Sequence, residues 1–95
     1  VIPVSKTLSL KAAAAALGHK TATMTNPEKA ERITGYVRGG ISPIGTRTVL
    51  ETVVDLSTSS LERLYCSGGK RGLDICIGSH DLVRLTNAKL AAIAR

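Results

Sequence analysis

Apolar and polar positions follow two different periods along this chain, and the change of period marks its elements. Leu10, Ala13, Ala14 and Leu17 recur at i, i+3, i+4 and i+7, the spacing of one helix face. Ser9 precedes them as a candidate N-cap, the alanine run favours helix, and Gly18 is placed to end it. Asn26-Pro27-Glu28 predicts a second helix from a cap, a first-turn proline and an acid near the positive helix end. Glu28 and Arg32 stand at i, i+4, and Gly35 closes this helix after about two turns. Ser79 is expected to cap a third helix, with Asp81 in its first turn and Leu82 and Leu85 facing inward.

The period of two appears elsewhere. Residues 1–4 read as the tail of a strand cut in mid-element or as a short edge strand, which Pro3 tolerates. Residues 21–24 read as a short strand, residues 48–50 and 52–55 as strand pieces, and residues 57–60 as a polar connection or helical turn. Residues 88–94 suit a helix and a short strand equally. Two apolar-rich runs, 63–67 and 72–77, flank Gly68-Gly69-Lys70-Arg71 and predict a hairpin with a four-residue loop. With Ser67 opposite Gly72, Tyr65 falls opposite Asp74. Leu64, Cys66, Leu73, Ile75 and Ile77 then share one face, while Tyr65, Ser67 and Asp74 share the other with Arg63 and Cys76. A slip of one residue would separate Ser67 from Asp74. The polar face thus holds a hydroxyl and a carboxylate within reach of each other.

One stretch fits neither period. Arg38-Gly39-Gly40-Ile41-Ser42-Pro43-Ile44-Gly45 carries three glycines and a proline in eight residues, too much punctuation for a helix or a central strand. The plain reading is a tight turn. The functional reading is a cradle whose main-chain N–H groups approach a phosphate, a carbonyl or a nucleoside, with Pro43 holding the far end stiff.

Composition narrows the choices. At 95 residues the chain is one domain or part of one. It has no Phe or Trp and only Tyr36 and Tyr65 as aromatics, so Val, Ile, Leu and Ala must fill its core. That poverty argues against a platform that stacks single-stranded bases. The net charge of +6, spread along the chain, suits a polyanionic partner such as nucleic acid and equally a basic surface with no such partner. No apolar run approaches the ~20 residues of a membrane span. Cys66 and Cys76 are too few and too widely spaced for a cysteine-rich metal site, and free thiols suit a reducing cytoplasm. Ser79-His80-Asp81 is not a triad, because sequence neighbours point apart. His19 falls in a turn and reads as a surface residue, Cys66 falls on the apolar face, and Cys76 has no base beside it. Lys70 and Arg71 at a glycine-rich tip suit a phosphate grip and a solvated turn about equally.

Two segments together carry a resemblance. Thr34-Gly35-Tyr36 running into Gly39-Gly40-Ile41-Ser42-Pro43-Ile44-Gly45, and Tyr65-Cys66-Ser67-Gly68-Gly69-Lys70-Arg71-Gly72-Leu73-Asp74, are similar to the YbaK-type aminoacyl-tRNA deacylases. The likeness extends over nearly the whole chain, including the Ala-rich helix, the Asn26-Pro27 start and the closing Ile93-Ala94-Arg95. It implies an α/β (α+β) fold with a mixed sheet curled into a partial barrel and helices packed outside. It implies an editing domain, free-standing or inserted in prolyl-tRNA synthetases, that hydrolyses mischarged tRNA, chiefly Cys-tRNA(Pro) for free-standing members.

By that resemblance Gly39 and Pro43 match the ends of a Gly-x-x-x-Pro loop whose amides face the terminal adenosine and the ester. Gly40, Ile41 and Ser42 lie between them, and Ser67 and Asp74 match pocket-lining polar residues. The implied catalytic set is Gly39, Ser67 and Asp74, with Gly40, Ile41, Ser42, Pro43, Gly68, Lys70 and Arg71 binding substrate. The implied partners are the acceptor end of tRNA and prolyl-tRNA synthetase, with no metal, organic cofactor or membrane. The family's pocket lysine lies on a strand N-terminal to the matched region, and Lys6, in the connection before the Ala-rich helix, does not match it. Residues 1–95 are therefore expected to be the C-terminal part of one editing domain, without its opening helix and strands, and weakly active or inactive alone. Three alternatives stay open: a non-catalytic tRNA- or synthetase-binding module, an editing domain for another amino acid, and a phosphate-binding α/β domain that shares only the loop.

Overall fold

Valines 53 and 54 begin the organisation of the fold, because their strand lies between other segments of the chain. The structure, a computed structural model, describes all residues from 1 to 95. Strand β1 (Val53–Asp55) pairs in parallel with β4 (Lys89–Ala91), with Val54 opposite Leu90. On its other edge, the Val1 ammonium donates to the Val53 carbonyl at 2.7 Å and the Asp55 amide donates to the Val1 carbonyl at 2.9 Å. Beyond β4 the chain doubles onto its beginning, where Leu8 bridges Ala94 in antiparallel fashion. Val54, Leu82 and Ile93 are the large side chains buried completely, with Val53 and Ala14 beside them in the core.

The helices obey their caps. Helix α1 (Leu10–Ala16) begins with the Ser9 hydroxyl accepting from the Ala12 amide at 3.2 Å. Helix α2 (Pro27–Thr34) begins with the Asn26 side chain accepting from the Lys29 amide at 2.8 Å and ends at Gly35 with φ +82°. Residues 56–60 form a short 3₁₀ turn between β1 and the hairpin.

Helix α3 (Ser79–Thr86) departs from the sequence expectation at its cap and at Leu85. Gly78, not Ser79, is its cap residue, and the Ser79 hydroxyl donates instead to the Leu61 carbonyl, tying the helix to the segment that follows the 3₁₀ turn at residues 56–60. The buried stripe runs through Ser79, Leu82, Val83 and Thr86, so Leu85 falls off it and stands 55% exposed.

Strands β2 (Arg63–Lys70) and β3 (Leu73–Gly78) form the hairpin. Its face assignment agrees with the alternation of the sequence, but its register does not. Ser67 lies opposite Asp74 and Tyr65 opposite Cys76, a shift of two residues. An even shift preserves which side chains share a face. The cause is an irregularity between Ser67 and Lys70, which lets the strands continue to a two-residue turn at Arg71-Gly72 instead of a four-residue loop.

One further expectation is corrected and one open choice is resolved. Residues 21–24 and 48–50 form no strand, since no neighbouring segment offers them a ladder, and Met24 and Val49 stand exposed. Within residues 88–94, which suited helix and strand equally, Lys89–Ala91 resolve as strand and Ala94 as a bridge to Leu8, because β1 supplies the partner that the local pattern could not reveal. The fold is a small mixed α/β domain in which the two two-stranded ladders remain separate, so no closed barrel forms. No helix is long and apolar enough to cross a membrane.

Candidate functional site

The glycine-rich loop leaves the end of α2 and lies against the tip of the hairpin. Gly40 makes the closest approach. A Cβ there would stand 2.7 Å from both the Arg71 nitrogen and the Lys70 carbonyl carbon, so backbone rests on backbone and only glycine fits. Its amide donates to the Val37 carbonyl at 2.9 Å, closing a tight turn. Gly39 has φ +84° and the Arg71 side chain beneath it. Within the loop, Ser42 is buried and its hydroxyl accepts from the Ile44 amide at 3.2 Å.

Three side chains hold the loop from outside. Glu31, on the last turns of α2, accepts from the Arg38 amide at 2.8 Å and lies 3.5 Å from the Arg38 guanidinium. The Arg38 amide, against an opposing effect of burial, and then the Arg38 and Arg71 charges hold Glu31 below its ordinary value. Arg71 donates from Nε to the Arg38 carbonyl at 2.7 Å. Tyr36 donates its hydroxyl to the Ile44 carbonyl at 2.6 Å. The Tyr36 ring fills the space beside Gly69, where an added Cβ would stand 2.7 Å from Cε1 and where φ is +94°.

These contacts leave specific groups open. The amides of Gly39, Ile41 and Ser42 donate to no acceptor within the chain. A cleft of about 690 Å³ opens beside the loop, lined by Glu31, Val37, Arg38, Lys70 and Arg71. Three cations against one acid make it electropositive. A second cavity of about 470 Å³ is bordered by Ile41, Ser42 and Pro43 together with Thr34, Leu50 and Leu85.

The structure therefore brings most of the expected residues together, in two groups. Gly39, Gly40, Lys70 and Arg71 meet where the loop crosses the hairpin tip, and Ile41, Ser42 and Pro43 line the second cavity. Ser67 and Asp74 face each other on the hairpin's polar side and line neither cavity. The Ser67 hydroxyl accepts from the Gly69 amide at 3.4 Å, bracing the irregular stretch, and Asp74 is exposed. Gly68 lies under Leu73, with room for no side chain. Cys66 is half-buried, and burial, then the Asp74 charge, raises its thiol above the ordinary value, which suits a packing role. His19 pairs with Glu51 at 2.8 Å on the surface.

Sequence reasoning missed Glu31 and Tyr36 as parts of this site. Tyr36 had one available signal, its position next to the loop in a chain with only two aromatics.

Comparison with known proteins bears on the family and the fold. The family model for the aminoacyl-tRNA editing domain matches residues 1–85. A provisionally assigned Cys-tRNA(Pro)/Cys-tRNA(Cys) deacylase of Enterococcus faecalis (strain ATCC 700802 / V583), EbsC, is 37% identical over 93 residues. That match covers 98% of this chain and 57% of EbsC, so the chain spans little more than half of this relative's length. The crystal structure of a provisionally assigned trans-editing enzyme for prolyl-tRNA synthetase superposes with a TM-score of 0.84 at 25% identity, over 96% of this chain and 57% of that one. A hypothetical protein of known crystal structure shares the fold at a TM-score of 0.86 and 23% identity, over 99% of this chain and 63% of that one. With a family match over residues 1–85, the chain belongs to the aminoacyl-tRNA editing domain family.

Proposed function

We propose that this chain serves the hydrolysis, in trans, of the ester joining a mischarged amino acid to tRNA, with Cys-tRNA(Pro) as its main substrate and the cytoplasm as its place of action. One observation carries the reading: the loop is held rigidly while the amides of Gly39, Ile41 and Ser42 have no acceptor within the chain. Donors fixed in advance are what a developing oxyanion requires, because no reorganisation is left for the moment of reaction. Water or the cysteine's own thiol would add to the ester carbonyl with the loop amides receiving the oxyanion, and the ribose oxygen would then leave as a hydroxyl, giving the free amino acid or a thiolactone that water opens. The reading asks for no protein nucleophile, metal or organic cofactor.

Asp74, with Ser67 beside it, orients a ribose hydroxyl or the substrate's amino group. Arg38, Lys70 and Arg71 attract the phosphates of the acceptor end. Prolyl-tRNA synthetase is a further candidate partner. The chain itself is the C-terminal part of the editing domain in this reading, and its hairpin supports that view. Leu64, Cys66, Ile75 and Ile77 share the apolar face yet remain only half-buried, so this face has apolar surface left for further covering.

The test is single-turnover hydrolysis of Cys-tRNA(Pro) by this chain and by the protein extended N-terminally to its relatives' length. The extended protein should hydrolyse the ester and the 95-residue chain should do so slowly or not at all. Asp74→Ala in the extended protein should slow hydrolysis more than it weakens tRNA binding. Equal rates from both lengths would place all the chemistry in the loop and hairpin. Absence of hydrolysis by the extended protein, with tRNA binding retained, would favour the binding module. That second reading draws on one feature, the separation of Ser67 and Asp74 from both cavities.

A further inference from the structure

Two side-chain contacts that fix the loop, one from the hairpin and one from the end of α2, share a feature: each is accepted by a carbonyl, and neither consumes an amide. Arg71 Nε donates to the Arg38 carbonyl at 2.7 Å, and the Tyr36 hydroxyl donates to the Ile44 carbonyl at 2.6 Å. The Arg38 carbonyl and the Gly39 N–H belong to one planar peptide unit. A cationic donor on the carbonyl draws electron density from the nitrogen and strengthens the N–H as a donor. The same donor fixes the plane of the unit, and with it the direction in which the Gly39 N–H points. The Arg71 side chain also lies beneath Gly39, where a Cβ would stand 3.1 Å from Nε.

At the far end, Tyr36 is rooted in α2. Its amide donates to the Thr34 hydroxyl at 3.2 Å, and that hydroxyl donates to the Ala30 carbonyl at 2.8 Å. Its ring is wedged beside Gly69, and a Cβ on Gly45 would stand 3.0 Å from its hydroxyl. The loop is thus clamped at Arg38 and at Ile44, and the amides without acceptors lie between the clamps.

We infer that Arg71 and Tyr36 are positioning residues for ester hydrolysis, Arg71 by orienting and polarising the peptide unit that carries the Gly39 amide, and Tyr36 by fixing the loop's other end. The inference rests on the loop amides acting as donors to the substrate. It gives Arg71 a function distinct from phosphate attraction, which its remaining guanidinium nitrogens and Lys70 can share.

Arg71→Lys separates the two, because it keeps the charge and loses the bond from Nε. In the extended protein acting on Cys-tRNA(Pro), Arg71→Lys should lower kcat roughly tenfold to a hundredfold, with KM nearly unchanged. Tyr36→Phe removes only the hydroxyl and should lower kcat by a smaller factor, again at constant KM. An independent readout needs no substrate: the Gly39 amide proton resonance of the free protein should move upfield in Arg71→Lys. Wild-type hydrolysis with kcat unchanged in Arg71→Lys overturns the inference and leaves the editing reading standing. A Gly39 resonance that does not move overturns it as well. Hydrolysis by no variant, wild type included, while the resonance still moves, overturns the editing reading and leaves the clamp itself intact.

Discussion

Two regions of this molecule handle acidic groups in opposite ways. Around β1, Asp55 is buried at 5% exposure and every contact it makes is internal. It accepts from the Ile93 and Ala94 amides at 2.9 Å each and from the Ser57 amide at 3.2 Å, and the Ser57 hydroxyl donates to it as well. The Ser57 hydroxyl, opposed by burial and supported by the backbone amides, pulls its carboxyl from 3.8 down to about 2. Around the loop, Glu31 stays near solvent among the cations Arg38, Lys70 and Arg71, and donors are left over. The first region spends its polar groups on holding the chain together. The second keeps them available, and it is there that the proposed chemistry would take place.

The comparison can be broken at its stable side first. Leu82→Ala empties a fully buried site and should cost about 3 kcal/mol in equilibrium unfolding. Asp55→Ala should cost a similar amount, roughly 2–3 kcal/mol, because it strands the buried amides of Ile93 and Ala94. Asp55 also sets the response to acid. Its folded value lies below its unfolded one, so its stabilisation is complete above about pH 4 and lost as pH falls toward 2. Thermal melts from pH 5 to pH 2 should show that loss in the wild type and a flatter profile in Asp55→Asn.

The open side should respond differently. Lys70→Ala should leave unfolding within about 0.5 kcal/mol of wild type. It should lower the slope of log K against log salt for tRNA binding by roughly one. An unchanged slope would return Lys70 to a solvated turn.

How much of this was legible in the sequence depends on how local the cause was. Helices α1 and α2 were readable because Ser9, Asn26, Pro27 and Gly35 act within a few residues of where they stand. The pairing of Ser67 with Asp74 on one face was readable because alternation survives an even shift, whereas the register was not, since the irregularity after Ser67 has no local signature. Ser79 looked like a cap but finds the carbonyl of Leu61, 18 residues away. Asp55 looked like a strand end and became a hub through partners 38 and 39 residues distant. The glycines and Pro43 announced the loop and the family, while the grip of Tyr36 and Arg71 depends on contacts that only the folded chain supplies.

The central claim is that the loop resting on the hairpin carries the ester chemistry. Gly40→Ala tests it most directly, because a Cβ there meets the hairpin backbone at 2.7 Å and must push the loop away. Single-turnover hydrolysis of Cys-tRNA(Pro) by the extended protein, measured at saturating protein, isolates the chemical step. The account predicts a fall of roughly a hundredfold with uncharged tRNA still bound. A Gly40→Ala protein that hydrolyses the ester at the wild-type rate would contradict it.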